Sequence, residues 1–274
     1  MTVTTKLVTA ASTLCLLGGL LAVVPSAATA NVATPTDTEQ PRIPFTKSSV
    51  TVGYSHQGRR IVAQRQGPAS APYVLLALGQ MHGTEPKGRP VISELRKLKI
   101  STKSKVQIWS ISTMNPDGSA RRSRGNARGV DLNRNFPTNW RKSGKGIFYS
   151  GKGPASERET KAVMKFVDQI KPNAVLSFHQ HANTVFSVCS KPSRAWVRRT
   201  GKLMKLPVPS VAKANCKKDA ATYRGTFNEW FVDHRHYGLF ATVELPSSGR
   251  VTKTRVKRYA KATRTLANEI PRFV

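Results

Sequence analysis

Acidic residues are scarce in this 274-residue chain: 14 Asp and Glu stand against 45 Lys and Arg, for a net charge of +31. The excess is spread along the whole length, so the folded surface should attract polyanions; the alternative is a solvated basic face with no specific partner. Cysteine is nearly absent, with three residues, which leaves room for one bridge at most. Beyond the first thirty residues no long apolar run occurs, which excludes a later stretch that could cross a bilayer. Internal repeats are also lacking, and the length suits one main domain.

What is present begins with Lys6, followed by the apolar run Leu14–Val24 and the small-residue end Ser26-Ala-Ala-Thr-Ala30. This pattern predicts a signal peptide over residues 1–30, cleaved after Ala30, and hence a secreted protein, extracellular or associated with the cell wall. An uncleaved anchor is the alternative, but a span needs about 20 apolar residues and Gly18, Gly19 and Pro25 interrupt or bound this one. Cys15 leaves with the signal, so Cys189 and Cys216 are expected to form a single disulfide in an oxidising compartment. Two buried free thiols are the competing reading. Residues 31–48, rich in Thr and Pro, read as a disordered leader or linker, and 49–274 as one catalytic domain.

From Val50 onward, short apolar runs alternate with helical patterns. Tyr73–Leu78, Val106–Ser112, Ala174–Phe178 and Phe240–Leu245 read as buried strands. Ser156-Glu-Arg-Glu159 has the spacing of a capping box, which predicts a helix from Ser156 to about Ile170. Further helices are expected over Pro86–Leu98, Ser193–Met204, Thr226–Asp233 and Thr252–Ile270. The class is α/β, with a mixed, mostly parallel central sheet flanked by helices. In such sheets ligands bind beyond the carboxyl ends of the strands, where His82, Glu85, Asn115-Pro-Asp-Gly118, His179 and Glu244 fall.

His82-Gly-Thr-Glu85 places an imidazole and a carboxylate three residues apart after a strand, a weak signal alone. A third donor from His179 would complete a His/Glu/His set of the catalytic zinc kind, leaving a fourth position for water. His181 competes for that place, because residues two apart on a strand share a face. His179 is favoured.

Asn115-Pro-Asp-Gly118, Gly129-Val-Asp-Leu-Asn-Arg-Asn-Phe-Pro137, Tyr149-Ser-Gly151 and Ala241-Thr-Val-Glu-Leu-Pro246 add a second layer of motif. With the His-x-x-Glu pair, the chain from Val50 to its end resembles the zinc metallocarboxypeptidases related to pancreatic carboxypeptidase A. The spacing Arg124-x-Asn126-x-x-Gly129 is similar to the compact bacterial type, which includes murein peptide amidases that cut between γ-D-glutamate and diaminopimelate. The resemblance implies one zinc held by His82, Glu85 and His179. It implies Glu244 as general base and Arg124 as the oxyanion partner, although Arg121, Arg122 and Arg128 crowd the same segment. Asn133 and Arg134 would grip the substrate's terminal carboxylate, a task suited to a planar guanidinium. Tyr223 would close over the bound terminus, and Phe227 would shape the pocket for the departing residue, with Glu229 able to supply an acid if the register slips.

The implied activity is hydrolysis of an amide next to a free carboxylate, on a murein peptide or, alternatively, on peptides scavenged from digested protein. An inactive fold that binds wall polymers is the reading from another class. Anionic cell-wall polymers are expected partners; no specific nucleic acid is expected, no membrane after signal cleavage, and a monomer.

Overall fold

The computed structural model describes residues 46–187, 191–209, 224–235 and 238–274. Its strands, in chain order, are β1 (Ser49–Tyr54), β2 (Arg60–Gln66), β3 (Tyr73–Leu78), β4 (Val106–Ile111), β5 (Ala174–Gln180), β6 (Thr184–Phe186) and β7 (Leu239–Leu245). They form one seven-stranded sheet in the order β1-β2-β4-β3-β5-β7-β6. The four central strands, β4, β3, β5 and β7, run parallel. The outer pairings β1–β2, β2–β4 and β6–β7 are antiparallel.

The central strands are almost wholly apolar because helices cover both faces. Leu75, Ala77, Ile108, Leu176, Phe178 and Val243 face one core, closed by α1 (Gly88–Arg96), α4 (Lys191–Met204) and α6 (Lys253–Glu269). Val74, Leu76, Leu78, Trp109, Val175 and Phe240 face the other, closed by α3 (Arg158–Ile170) and α5 (Phe227–His234). The alternation follows the two-residue period of a strand. The remaining described helix, α2 (Pro116–Arg121), is short and follows β4.

The expected strands and helices are found within a few residues of their predicted bounds, and the mixed, mostly parallel sheet is observed. The β1–β2 hairpin and β6 were not expected. β1 and β6 are the sheet's edge strands and β2 lies next to one of them, so these strands are only partly buried and lack a long apolar signature. The capping box at Ser156 is a correction. Helix α3 begins at Arg158, and its N-cap Glu157 makes no capping hydrogen bond. Ser156 donates instead to Glu157 Oε1, and Glu159 accepts from the His56 backbone N–H and from Asn126 Nδ2, so tertiary partners have claimed the capping groups. A true capping box does occur, with Thr226 and Glu229 opening α5. The predicted signal segment, Tyr223, Cys189 and Cys216 lie outside the described residues.

Asp117 fastens α2 to the β1–β2 hairpin. It is buried, and accepts from Ser55 Oγ at 2.8 Å, Gln57 N at 2.9 Å and Arg59 Nη1 at 2.6 Å. Burial alone would raise its pKa, but these donors hold it below the ordinary carboxylate value. Its stabilising effect is therefore full above about pH 4, the unfolded value, and is lost as pH falls through the lower folded value. Asp117→Asn should lower stability at neutral pH by about 1 kcal/mol or more. Denaturant titrations against pH should show wild type and variant converging in that acid range.

Candidate metal centre

The turn carrying His82 and Glu85 follows β3 and is pressed against the loop after β4. A Cβ on Gly83 would meet the Gly118 carbonyl oxygen at 2.0 Å, so only glycine allows this approach. Asn115 secures the contact: its Nδ2 donates to the carbonyls of Met81 (3.1 Å) and Arg124 (3.3 Å), and its Oδ1 accepts from Gly118 N. His179 arrives from the next parallel strand, β5, in register with Glu244 of β7.

His82, Glu85 and His179 are all buried, and one ligand atom from each lies within 4.8 Å of the others. His82 Nδ1 is 2.8 Å from Glu85 Oε1, and His179 Nδ1 is 3.1 Å from Glu85 Oε2. The opposite ring nitrogens are engaged elsewhere. His82 Nε2 lies 2.9 Å from Asp131 Oδ1, and His179 Nε2 lies 3.0 Å from Ser177 Oγ. The His82 ring thus lies between two carboxylates; with a metal bound, Asp131 would accept the Nε2 proton and leave the Nδ1 lone pair for the ion. Two nitrogens and a carboxylate at one buried point suit a catalytic zinc.

The carboxylates favour positive charge at this point, which a protonated imidazole or a metal ion can supply. Burial would lower the His82 pKa, yet Asp131 and Glu85 outweigh it and raise the value. Burial would raise those of Glu85 and Asp131, but both lie well below the carboxylate range. The hydrogen bonds from His179 and His82 hold Glu85 down, while His82 and Arg124 do the same for Asp131. Glu85 and Asp131 are thus ionised, the state that ligation and imidazole orientation both need.

His181 is exposed and stands outside the His82–Glu85–His179 group. Glu244 is half-buried, and its Oε2 accepts from Ala182 N at 3.3 Å. Arg124 reaches Glu85 Oε1 through Nη1 at 3.1 Å and Asp131 Oδ2 through Nε and Nη2 at 3.0 and 2.9 Å. Asn133 donates its backbone N–H to Asp131 Oδ1 at 2.9 Å, and Arg134 Nη1 donates to the Asn133 carbonyl at 2.8 Å. Phe227 departs from expectation. Its side chain is 1% exposed and stacks on Phe136 in the core, while its backbone N–H donates to Asn133 Oδ1 at 3.0 Å. The capping box turns the first residue of α5 toward the sheet, so Phe227 supports Asn133 instead of facing a pocket.

Among residues whose part was not foreseen, Asp131 stands in a motif already noted, but nothing in its spacing shows that it bonds His82. Ser177, two residues before His179 on β5, shares its face and could have been read from the strand period.

A profile of the zinc carboxypeptidases, peptidase family M14, matches residues 36–266. The chain belongs to that family. One zinc is the metal of this family, and the His82–Glu85–His179 group suits it. Murein peptide amidase A of Escherichia coli strain K12 is 33% identical over 145 residues, covering 46% of this chain and 59% of the relative. Carboxypeptidase SOL1 of Arabidopsis thaliana is 28% identical over 128 residues, 43% of this chain and 25% of its own. The matched region therefore spans about six-tenths of the curated amidase and less of the plant protein. The crystal structure of murein-tripeptide amidase MpaA from Escherichia coli O157 superimposes with a TM-score of 0.62 at 24% identity, over 82% of this chain and 96% of that one. Carboxypeptidase A from Helicoverpa armigera gives 0.64 at 16% identity, over 80% and 68%. These likenesses establish the carboxypeptidase-like α/β fold.

Asp131→Asn keeps the shape of the side chain but weakens its hold on the His82 N–H. Zinc affinity, measured by competition with a chromophoric chelator, should fall by about 10–100-fold.

Proposed function

We propose that the chain is a zinc-dependent peptidase that hydrolyses an amide next to a free carboxylate, acting on murein peptides at the bond between γ-D-glutamate and diaminopimelate. The observation that carries this reading is the β5–β7 register, in which Glu244 stands beside His179 and so beside the metal group. The zinc, when bound, activates water near neutral pH and polarises a carbonyl. Glu244 takes the proton of the attacking water and returns it to the departing amine. Arg124 offers a fixed positive charge where negative charge develops on the carbonyl oxygen. Arg134 and Asn133 receive the substrate's carboxylate, Asn133 being steadied by the Phe227 N–H and by Asp131. The similarity to murein peptide amidases supports a murein substrate for this chain, and the Lys6 and Leu14–Val24 pattern supports export to meet it.

The experiment is hydrolysis of a murein tripeptide compared with ordinary peptides ending in apolar or basic residues. Preference for the tripeptide is expected; preference for ordinary peptides would favour the scavenging reading. Glu244→Gln should lower kcat by about 10²–10⁴-fold with zinc content unchanged. Hydrolysis by zinc-free protein at the full rate would overturn the metal's part.

Anionic wall polymers complete this reading. On α6, Lys253, Lys257 and Lys261 are exposed and four residues apart, a rise of about 6 Å per step. On α4, Arg198 and Lys202 are exposed as well, and the groove between the helices is lined by Lys257, Arg258 and Lys261 with no acid. Exposed aromatic side chains, which single-stranded nucleic acid would stack on, are missing from this face among the described residues. Binding to purified anionic wall polymer should weaken steeply with added salt. The double variant Lys257→Glu, Lys261→Glu should lose it while hydrolysing small peptides at the wild-type rate. Equal binding by that variant, or tighter binding to nucleic acid, would count against the assignment.

A further inference from the structure

Phe148 has no part in the chemistry described so far, yet it touches both arginines assigned to the substrate. The guanidinium carbons of Arg124 and Arg134 lie 5.3 and 5.2 Å from its ring centroid. The residue is 50% exposed, and its ring lies within cation–π reach of both guanidiniums. Its carbonyl and the residues that follow it are pinned. Ser143 Oγ donates to the Phe148 carbonyl at 2.8 Å, Ser150 N donates to Ser143 Oγ at 2.8 Å, and Trp140 Nε1 donates to the Ser150 carbonyl at 3.1 Å. The neighbouring Tyr149 carbonyl accepts from Asp131 N at 2.8 Å, which ties the loop to the residue that orients His82 and Arg124.

We propose that Phe148 is a positioning residue, whose ring holds Arg124 and Arg134 by their faces at the spacing that the substrate's carbonyl and carboxylate oxygens require. The inference rests on the roles given to those two arginines above. Arg124 is already held by two carboxylates, and a further one in this place would take more of its N–H groups and weaken its pull on a developing anion. An aromatic face attracts the cation through its quadrupole without itself taking an N–H group. Arg124 already gives edge contacts to Asp131 and Glu85, so the ring limits the tilt that those in-plane bonds leave free.

The test compares wild type with Phe148→Tyr, Phe148→Leu and Phe148→Ala, all zinc-loaded. Two readouts are taken: steady-state hydrolysis of murein tripeptide, and calorimetric binding of free diaminopimelate. Tyr keeps the π face and should retain wild-type values. Leu keeps apolar bulk without the quadrupole; it and Ala should each lower kcat/KM by about tenfold, with KM raised through Arg134 and kcat lowered through Arg124. Diaminopimelate binding should weaken in the same order, with zinc content unchanged. A Leu variant equal to wild type, a Tyr variant as impaired as Ala, or an Ala variant without loss in either readout would overturn the proposal. Should Ala fail to fold, the Leu and Tyr pair still decides. Should wild type cleave no such peptide while diaminopimelate binding follows the aromatic series, the proposed function falls and the positioning role stands; indifferent binding sinks the role itself.

Discussion

One buried carboxylate, Asp131, holds the site together. Its Oδ1 meets His82 Nε2 and the Asn133 N–H, and its Oδ2 meets two nitrogens of Arg124. The His82 imidazole of the candidate metal group, the arginine assigned to the oxyanion and the backbone of the proposed carboxylate anchor are therefore referenced to a single fully enclosed group. An ionised carboxylate cannot stay buried without such partners, since losing one leaves an uncompensated charge at a cost of about 3–5 kcal/mol. The same energy that forces Asp131 to be satisfied fixes the relative positions of the groups that satisfy it.

That constraint works only because two loops approach closely enough to share it. His82 and Arg124 lie on loops after neighbouring parallel strands, and the Gly83–Gly118 contact with the Asn115 side chain sets their separation. Helix α2, between them, is held from outside by Ser55, Gln57 and Arg59 of the β1–β2 hairpin, which donate to its Asp117. A hairpin at the sheet edge thus has a route to the metal group through buried hydrogen bonds, with no contact of its own to a ligand.

Much of the framework was legible before any coordinates. Buried parallel strands carry runs such as Tyr73–Leu78 that leave little ambiguity, and their carboxyl ends located His82, His179 and Glu244. The motif residues of the site were named from resemblance, and the geometry brings His82, Glu85 and His179 to one point. What stayed hidden depends on tertiary pairing. Asp131 could be read as one more motif acid, because nothing in its spacing shows its four donors. Phe227 read as a pocket residue until the α5 capping box turned it inward. Ser156 and Glu159 had capping-box spacing, but His56, Asn126 and Glu157 compete for their polar atoms. Phe148 carries no periodicity, standing between Ile147 and Tyr149 in an irregular loop.

The scarcity of acids takes on a different meaning once their places are known. Glu85, Asp117, Asp131, Glu157, Glu159, Glu229 and Glu269 are all buried, while no Lys or Arg is buried among the described residues. Acids so rarely occupy interiors unless paired that their concentration there reflects assigned partners. Asp131 and Glu85 serve the metal group, Asp117 serves α2, Glu157 and Glu159 both accept from Asn126, and Glu269 pairs with Arg199. Seven acids are thus withdrawn from the surface among the described residues, leaving the outside there still more cationic than composition alone implies. The charge of the surface and the order of the site are two consequences of one distribution. Few carboxylates are present, and those that organise loops and ligands are not available to neutralise Lys253, Lys257 and Lys261 on α6.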